Sequence, residues 1–120
     1  MAQLDNIELK NGTLIKDLEQ DLIQGQENVL FTLDTTTSEH QGATFEYIIY
    51  TQTFQRKGKL SLLWNSTNIV INEVYSDEFN NVNNYVINFQ ARLNGTTVEV
   101  FLDVPASTET WKFESLVYLV

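Results

Sequence analysis

The sequence predicts an all-β protein, an antiparallel β-sandwich or jelly roll of about seven or eight strands. Three observations predict it. Residues 43–75 hold three β-rich runs joined by two short polar bends, which reads as a meander. Turn signals recur roughly every ten residues along the rest of the chain, and strands at that spacing suit a sandwich. One proline, five glycines and a 42% hydrophobic share in 120 residues describe one packed domain with a real core. One short helix over residues 15–24 is the open alternative to irregular β-structure within this plan.

The elements follow in order. Ile7 and Leu9 alternate with charge before Asn11-Gly12, a hairpin signal, so a short strand is expected there. Leu14, Leu18 and Leu22 fall four apart with Asp17, Glu19 and Asp21 between them, and Gly25 is placed to end a helix. Val29, Phe31 and Leu33 then mark one face of a strand. Residues 35–42 are polar and predict a loop, which carries the single histidine, His40. A lone loop histidine is expected to be solvated.

The meander begins with Phe45, Tyr47 and Ile49 on one face and Glu46 opposed. Ile48 and Tyr50 make the second face partly apolar, so both faces are candidates for burial. Its second strand is expected over residues 59–64 and its third over residues 69–75. Residues 77–84 are rich in asparagine and predict a turn. Tyr85, Ile87, Phe89, Ala91 and Leu93 share a face of the next strand. Asn94-Gly95 turns it into Val98, Val100, Leu102 and Val104. After a loop over residues 105–110, Trp111, Phe113, Val117 and Leu119 face inward from the closing strand. Residues 1–42 read either as added strands of the same domain or as an N-terminal arm that docks elsewhere.

Composition narrows function more than motifs do. The formal net charge is −9, which argues against nucleic acid, whose phosphates need a basic footprint, and against an anionic membrane surface. The chain has no cysteine, which leans towards a reducing compartment of origin. The first residues lack a basic region followed by an apolar run, so synthesis in the cytoplasm without a signal peptide is expected. No apolar stretch approaches the length of a membrane-spanning helix. No Cys or His cluster, calcium loop, phosphate loop or nucleophile elbow is present, so no metal, cofactor or catalytic residue is expected. Asn11, Asn65 and Asn94 begin glycosylation-type triplets, but turn chemistry accounts for all three.

Two surface features remain. Arg56, Lys57 and Lys59 are three of the seven basic residues, packed into four positions at an expected hairpin tip. Before Gln41 the chain carries eight acidic and two basic residues. That segregation predicts a basic contact site for an acidic patch on another copy or partner; a solvated turn is the plain alternative. Tyr50, Trp64 and Trp111 are candidate sugar-facing rings, since aromatic faces stack on sugars; the plain alternative is core.

The run Phe45-Glu46-Tyr47-Ile48-Ile49 leads through Arg56-Lys57-Gly58-Lys59-Leu60 to Glu73-Val74-Tyr75-Ser76. Val86-Ile87-Asn88-Phe89 and Trp111-Lys112-Phe113-Glu114-Ser115 follow. This order resembles small all-β structural domains in the virions of tailed bacteriophages, over about two thirds of the chain. The chain departs from that pattern at Ile48, where serine is common, and in the asparagine run at 80–84, where glycine is expected. The resemblance implies a non-enzymatic, self-associating virion protein located in the particle, most concretely a capsid decoration protein. Its implied partners are copies of itself and other capsid or tail proteins. The alternative is a carbohydrate-binding or receptor-binding module of a tail fibre.

Overall fold

The computed structural model describes residues 6–8, 14–79 and 82–120. Nine strands are described: β1 (Asn6–Glu8), β2 (Leu14–Leu22), β3 (Glu27–Asp34), β4 (Gly42–Tyr50), β5 (Gln55–Trp64), β6 (Ile69–Phe79), β7 (Phe89–Asn94), β8 (Thr97–Asp103) and β9 (Trp111–Leu119). They form a six-stranded sheet in the order β1-β2-β9-β4-β5-β6 and a three-stranded sheet in the order β3-β8-β7. Every neighbouring pair is antiparallel. The expected sandwich is therefore the fold.

The core lies between the two sheets. β4 turns Phe45, Tyr47 and Ile49 inward, β9 turns Trp111, Phe113, Val117 and Leu119 inward, and β8 answers with Val98, Val100 and Leu102. Each large side chain so buried contributes about 1.5–3 kcal/mol through removal from water. Rings fix the packing: Phe31 meets Phe45 edge-on at 5.3 Å, and Tyr47 lies 4.7 Å from Phe89. The last strand is central rather than terminal in the sheet, because β9 is inserted between β2 and β4.

Four expectations need correction. Among the described residues there is no helix, and residues 15–24 fall mostly in β2, paired with β9 from Leu14↔Leu119 to Leu22↔Trp111. A spacing of four fits a helix, but it is also twice the strand period. The acids at 17, 19 and 21 alternate by two, and that pattern prevails. In β3 a bulge between Val29 and Phe31 buries both Leu30 and Phe31 and leaves Val29 exposed. Val29 and Phe31 therefore do not share a face.

The second strand of the meander starts at Gln55, not at Lys59. The hairpin tip is residues 51–54, where the Thr51 hydroxyl accepts the amides of Thr53 and Phe54, and the Thr51 amide donates to Phe54 O at 2.8 Å. Residues 85–88 are not a strand, although Ile87 still points inward. The Ile87 carbonyl is taken by the guanidinium of Arg56 at 3.1 Å. The Asn94-Gly95 turn is present with Gly95 at φ +62° and Asn94 paired with Thr97, so Gly95 holds the first central position. The Asn11-Gly12 turn and the first two residues of the asparagine run, 80 and 81, lie outside the described residues.

Candidate functional site

The outer face of the six-stranded sheet carries the surface chemistry. Register aligns its outward side chains in rows across the strands. One row runs Val74, Lys59, Glu46, Leu116 and Asp17 from β6 to β2; the next runs Asp77, Lys57, Ile48, Glu114 and Glu19. A third runs Phe79, Gln55, Tyr50, Lys112 and Asp21. β5 therefore presents Lys57 and Lys59, while β2 presents Asp17, Glu19 and Asp21. A groove of about 730 Å³ runs across these bands, lined by Ile48, Val74 and Leu116 together with Glu46 and Glu114. At one end of the face Leu63, Val70 and Val120 are exposed apolar groups.

Local ion pairs cross the face, Lys59 to Glu46 at 3.8 Å and Lys112 to Asp21 at 3.7 Å. The acidic band still sets the field on its side. The hydroxyl of Tyr50 is held above its ordinary pKa, first by partial burial, then by the hydrogen bond and charge of Glu114 and the charges of Glu19 and Asp21.

Beneath this face Arg56 does something else. Alternation along β5 turns it inward while Lys57 and Lys59 turn out, and it is only 7% exposed. Its Nε and Nη2 donate to Glu78 Oε2 at 2.8 and 2.6 Å. Its Nη1 lies 3.6 Å from Glu73, and its guanidinium sits 4.2 Å from the Tyr75 ring centre. Tyr47 donates its hydroxyl to Glu73. Burial alone would lower the pKa of Arg56, but the hydrogen bond to Glu78 and the charges of Glu73 and Glu78 outweigh it and leave it raised. Burial and the Glu73 carboxylate likewise push the Tyr47 hydroxyl up. Gly58 lets this cluster close, since a Cβ there would stand 2.5 Å from Tyr75 Cα, beside the bulge where β6 shifts register.

The basic trio is thus not a hairpin tip. It lies within a strand, and alternation separates Arg56 from the two lysines. Of the candidate sugar-facing rings, Trp111 is fully buried with its Nε1 donating to Ser107 Oγ at 2.9 Å, and Trp64 is 6% exposed. Their faces are core surface, as expected where both strands alternate inward at those positions. Tyr50 alone is partly exposed, on the charged face just described. His40 sits in the 35–42 segment, its amide bonded to Ser38 Oγ. The acids of β2 are functional candidates that the helix reading hid; their period-two spacing was the available signal.

A second groove, about 820 Å³, opens where residues 83–90 meet residues 103–108. Asn84, Asn88 and Gln90 supply amides to it, and Asn84 has the left-handed φ of 53°. Tyr85 is fixed at its side by donating to Glu109 Oε2 at 2.7 Å. Glu109 also accepts the hydroxyls of Thr51 and Thr53, and these bonds, that from Thr53 first, lower its pKa. Among the described residues no group of acidic, histidine or cysteine side chains is arranged to hold a metal.

No family model and no curated protein matches the chain. In fold the chain is similar to part of the tailspike protein of Acinetobacter baumannii phage AM24. The likeness covers 89% of this chain and 26% of that one, at a TM-score of 0.50 and 10% identity. The chain thus spans about a quarter of the tailspike's length, and what the two share is the fold.

Proposed function

We propose that the protein is a non-enzymatic structural module of a phage virion, associated with the tail and working as an assembled set of copies. The observation that carries this reading is the likeness to a phage tailspike over 89% of the chain. The resemblance of the strand-and-turn order to small virion domains supports it from a separate direction. The carboxylates with shifted pKa values fit a structural role. Glu27, Asp34 and Glu109 are all lowered by hydrogen-bond donors, whereas a general acid needs the opposite shift.

Immunogold labelling of virions with an antibody against the purified domain tests the reading. Gold along the tail supports it. Gold over the head facets replaces it with capsid decoration, and particles without gold overturn it. A carbohydrate-binding module is the second reading, favoured by one observation, the amide-lined groove beside Tyr85. With Trp64 and Trp111 in the core, that groove would have to work by hydrogen bonds. Glycan-array binding that disappears in an Asn88→Ala, Gln90→Ala variant would establish it.

A further inference from the structure

We propose that the outer face of the six-stranded sheet docks a second copy of this chain about a two-fold axis running along the strands between β4 and β9. The choice of occupant rests on the self-assembling reading above; the geometry rests on the register. β5 and β2 lie on opposite sides of the β4–β9 boundary, each one strand beyond it. A half-turn about an axis parallel to the strands reverses strand order and keeps height along the strand. It therefore lays β5 of one copy over β2 of the other at the same row. Lys59 shares its row with Asp17, and Lys57 shares its row with Glu19. Both lysines consequently face acids of the second copy, and symmetry repeats each pairing.

The other axis direction fails on charge. A two-fold axis across the strands lays β5 on β5 and β2 on β2, so that bands of like sign meet. Net charge opposes any self-association, since each copy carries −9. At physiological ionic strength screening acts over about 8 Å, which weakens that general repulsion and leaves facing pairs largely intact. The half-turn along the strands also lays β4 over β9, so Ile48 and Leu116 pack on the stems of Glu114 and Glu46 of the other copy, and Leu63, Val70 and Val120 stand exposed at one end. The four strands that overlie one another, β2, β9, β4 and β5, offer a face of roughly 570 Å² by strand spacing and rise, the size of a small and weak interface. A standard interface needs about 800 Å² per partner.

Charge reversal on the full chain tests the axis itself. Lys57→Glu with Lys59→Glu sets acid against acid at both contacts; Asp17→Lys with Glu19→Lys sets base against base. Each variant alone is expected to self-associate more than about tenfold more weakly than the native chain in sedimentation equilibrium. Mixed together they restore attraction at both contacts and form a heterodimer at least as tight as the native pair. A native chain that stays monomeric to millimolar concentration overturns the proposal. So do variants that dimerise as the native chain does, or a mixture that fails to pair.

The cysteine-free background supplies a second measurement that leaves most charges in place. In a Lys59→Cys, Asp17→Cys variant the two positions lie three strand spacings apart within a chain, about 14 Å, too far for an internal disulfide. Facing sheets stand about 10 Å apart, too far for a disulfide between copies as well. A short bismaleimide that spans that gap but not the internal one is expected to give a covalent dimer, and its absence overturns the proposal. Dimers with no gold anywhere on the particle sink the virion reading and leave this one standing; tail labelling by a chain that is monomeric in solution does the reverse.

Discussion

Replacing Arg56 by Met separates the buried cation from its two exposed neighbours. The side chain makes two hydrogen bonds to Glu78, one to the Ile87 carbonyl and a close ion pair with Glu73. Removing one partner of a fully buried pair costs about 3–5 kcal/mol, mostly because the other charge is left without compensation. Here the carboxylates retain 19% and 25% of their exposure, so water recovers part of that loss. A destabilisation of roughly 2–3 kcal/mol remains. At about 4 °C per kcal/mol for a chain of this length, Tm should fall by about 8–12 °C. Arg56→Lys keeps the charge but loses the planar fork, so it should lie between native and Met. Urea unfolding monitored by circular dichroism measures both, with an unchanged m-value as the check that only stability moved. If Arg56→Met stays within about 0.5 kcal/mol of native, the cluster does not brace β5 against β6 and the burial argument is wrong. If it instead weakens association at constant stability, Arg56 belongs to the contact surface that the sequence expects.

Three further outcomes follow from the same structure. Gly58→Ala should cost about 1–3 kcal/mol, because the new methyl group would overlap the backbone of β6 at the bulge; a native-like urea midpoint would show that β6 yields without cost. Trp64 and Trp111 should emit at short wavelength and resist acrylamide, and an emission spectrum like that of free indole in water would contradict the core. Glu27, Asp34 and Glu109 have folded-state pKa values below their ordinary 4.5, 3.8 and 4.5. Their stabilisation is therefore full above the unfolded values and is lost as pH falls through the folded ones. Tm should drop on acidification below about pH 4.5, and a Glu27→Gln, Glu109→Gln variant should show a shallower drop. Parallel Tm–pH curves for variant and native would refute it.

Much of the sandwich is readable from alternation alone. β4, β8 and β9 bury the residues whose period-two pattern announces them, because each has one face on the core and its pattern has no competing period. Legibility fails where two periods coincide or the pairing slips. Leu14, Leu18 and Leu22 fit both a helix and a strand, and only the pairing with β9 decides between them. The bulge in β3 places two consecutive residues inward, which no strict alternation anticipates. At residues 85–88 the pattern continues but the strand does not: β8 ends at Asp103, Val104 bonds Gln26 and Gly25 instead, and the Ile87 carbonyl accepts from the Arg56 guanidinium. The candidate face was half legible. Lys57 and Lys59 stand out by charge, whereas Asp17 and Glu19 become their counterparts only once register places all four in two rows.

The run from Arg56 to Lys59 shows why charge clustering in sequence is a poor unit of function in a sheet. A strand sends successive side chains to opposite faces, so a basic run is divided by parity before any partner meets it. Arg56 falls on the inner face, where Glu73, Glu78 and Tyr75 surround it. There a planar fork that stays charged under burial is the suitable cation, since lysine would more readily lose its proton. Lys57 and Lys59 fall on the outer face, where flexible, well-hydrated ammonium groups can meet a partner. Gly58 stands between them on the inner side and admits the backbone of β6. Substitutions at even and odd positions of the same run should therefore sort into different assays. Changes at 56 and 58 should move the unfolding midpoint, and changes at 57 and 59 should move self-association with little effect on it, as exposed ion pairs are worth only about 0.2–1 kcal/mol to the monomer. A variant at 57 or 59 that unfolds as readily as Arg56→Met would break that division.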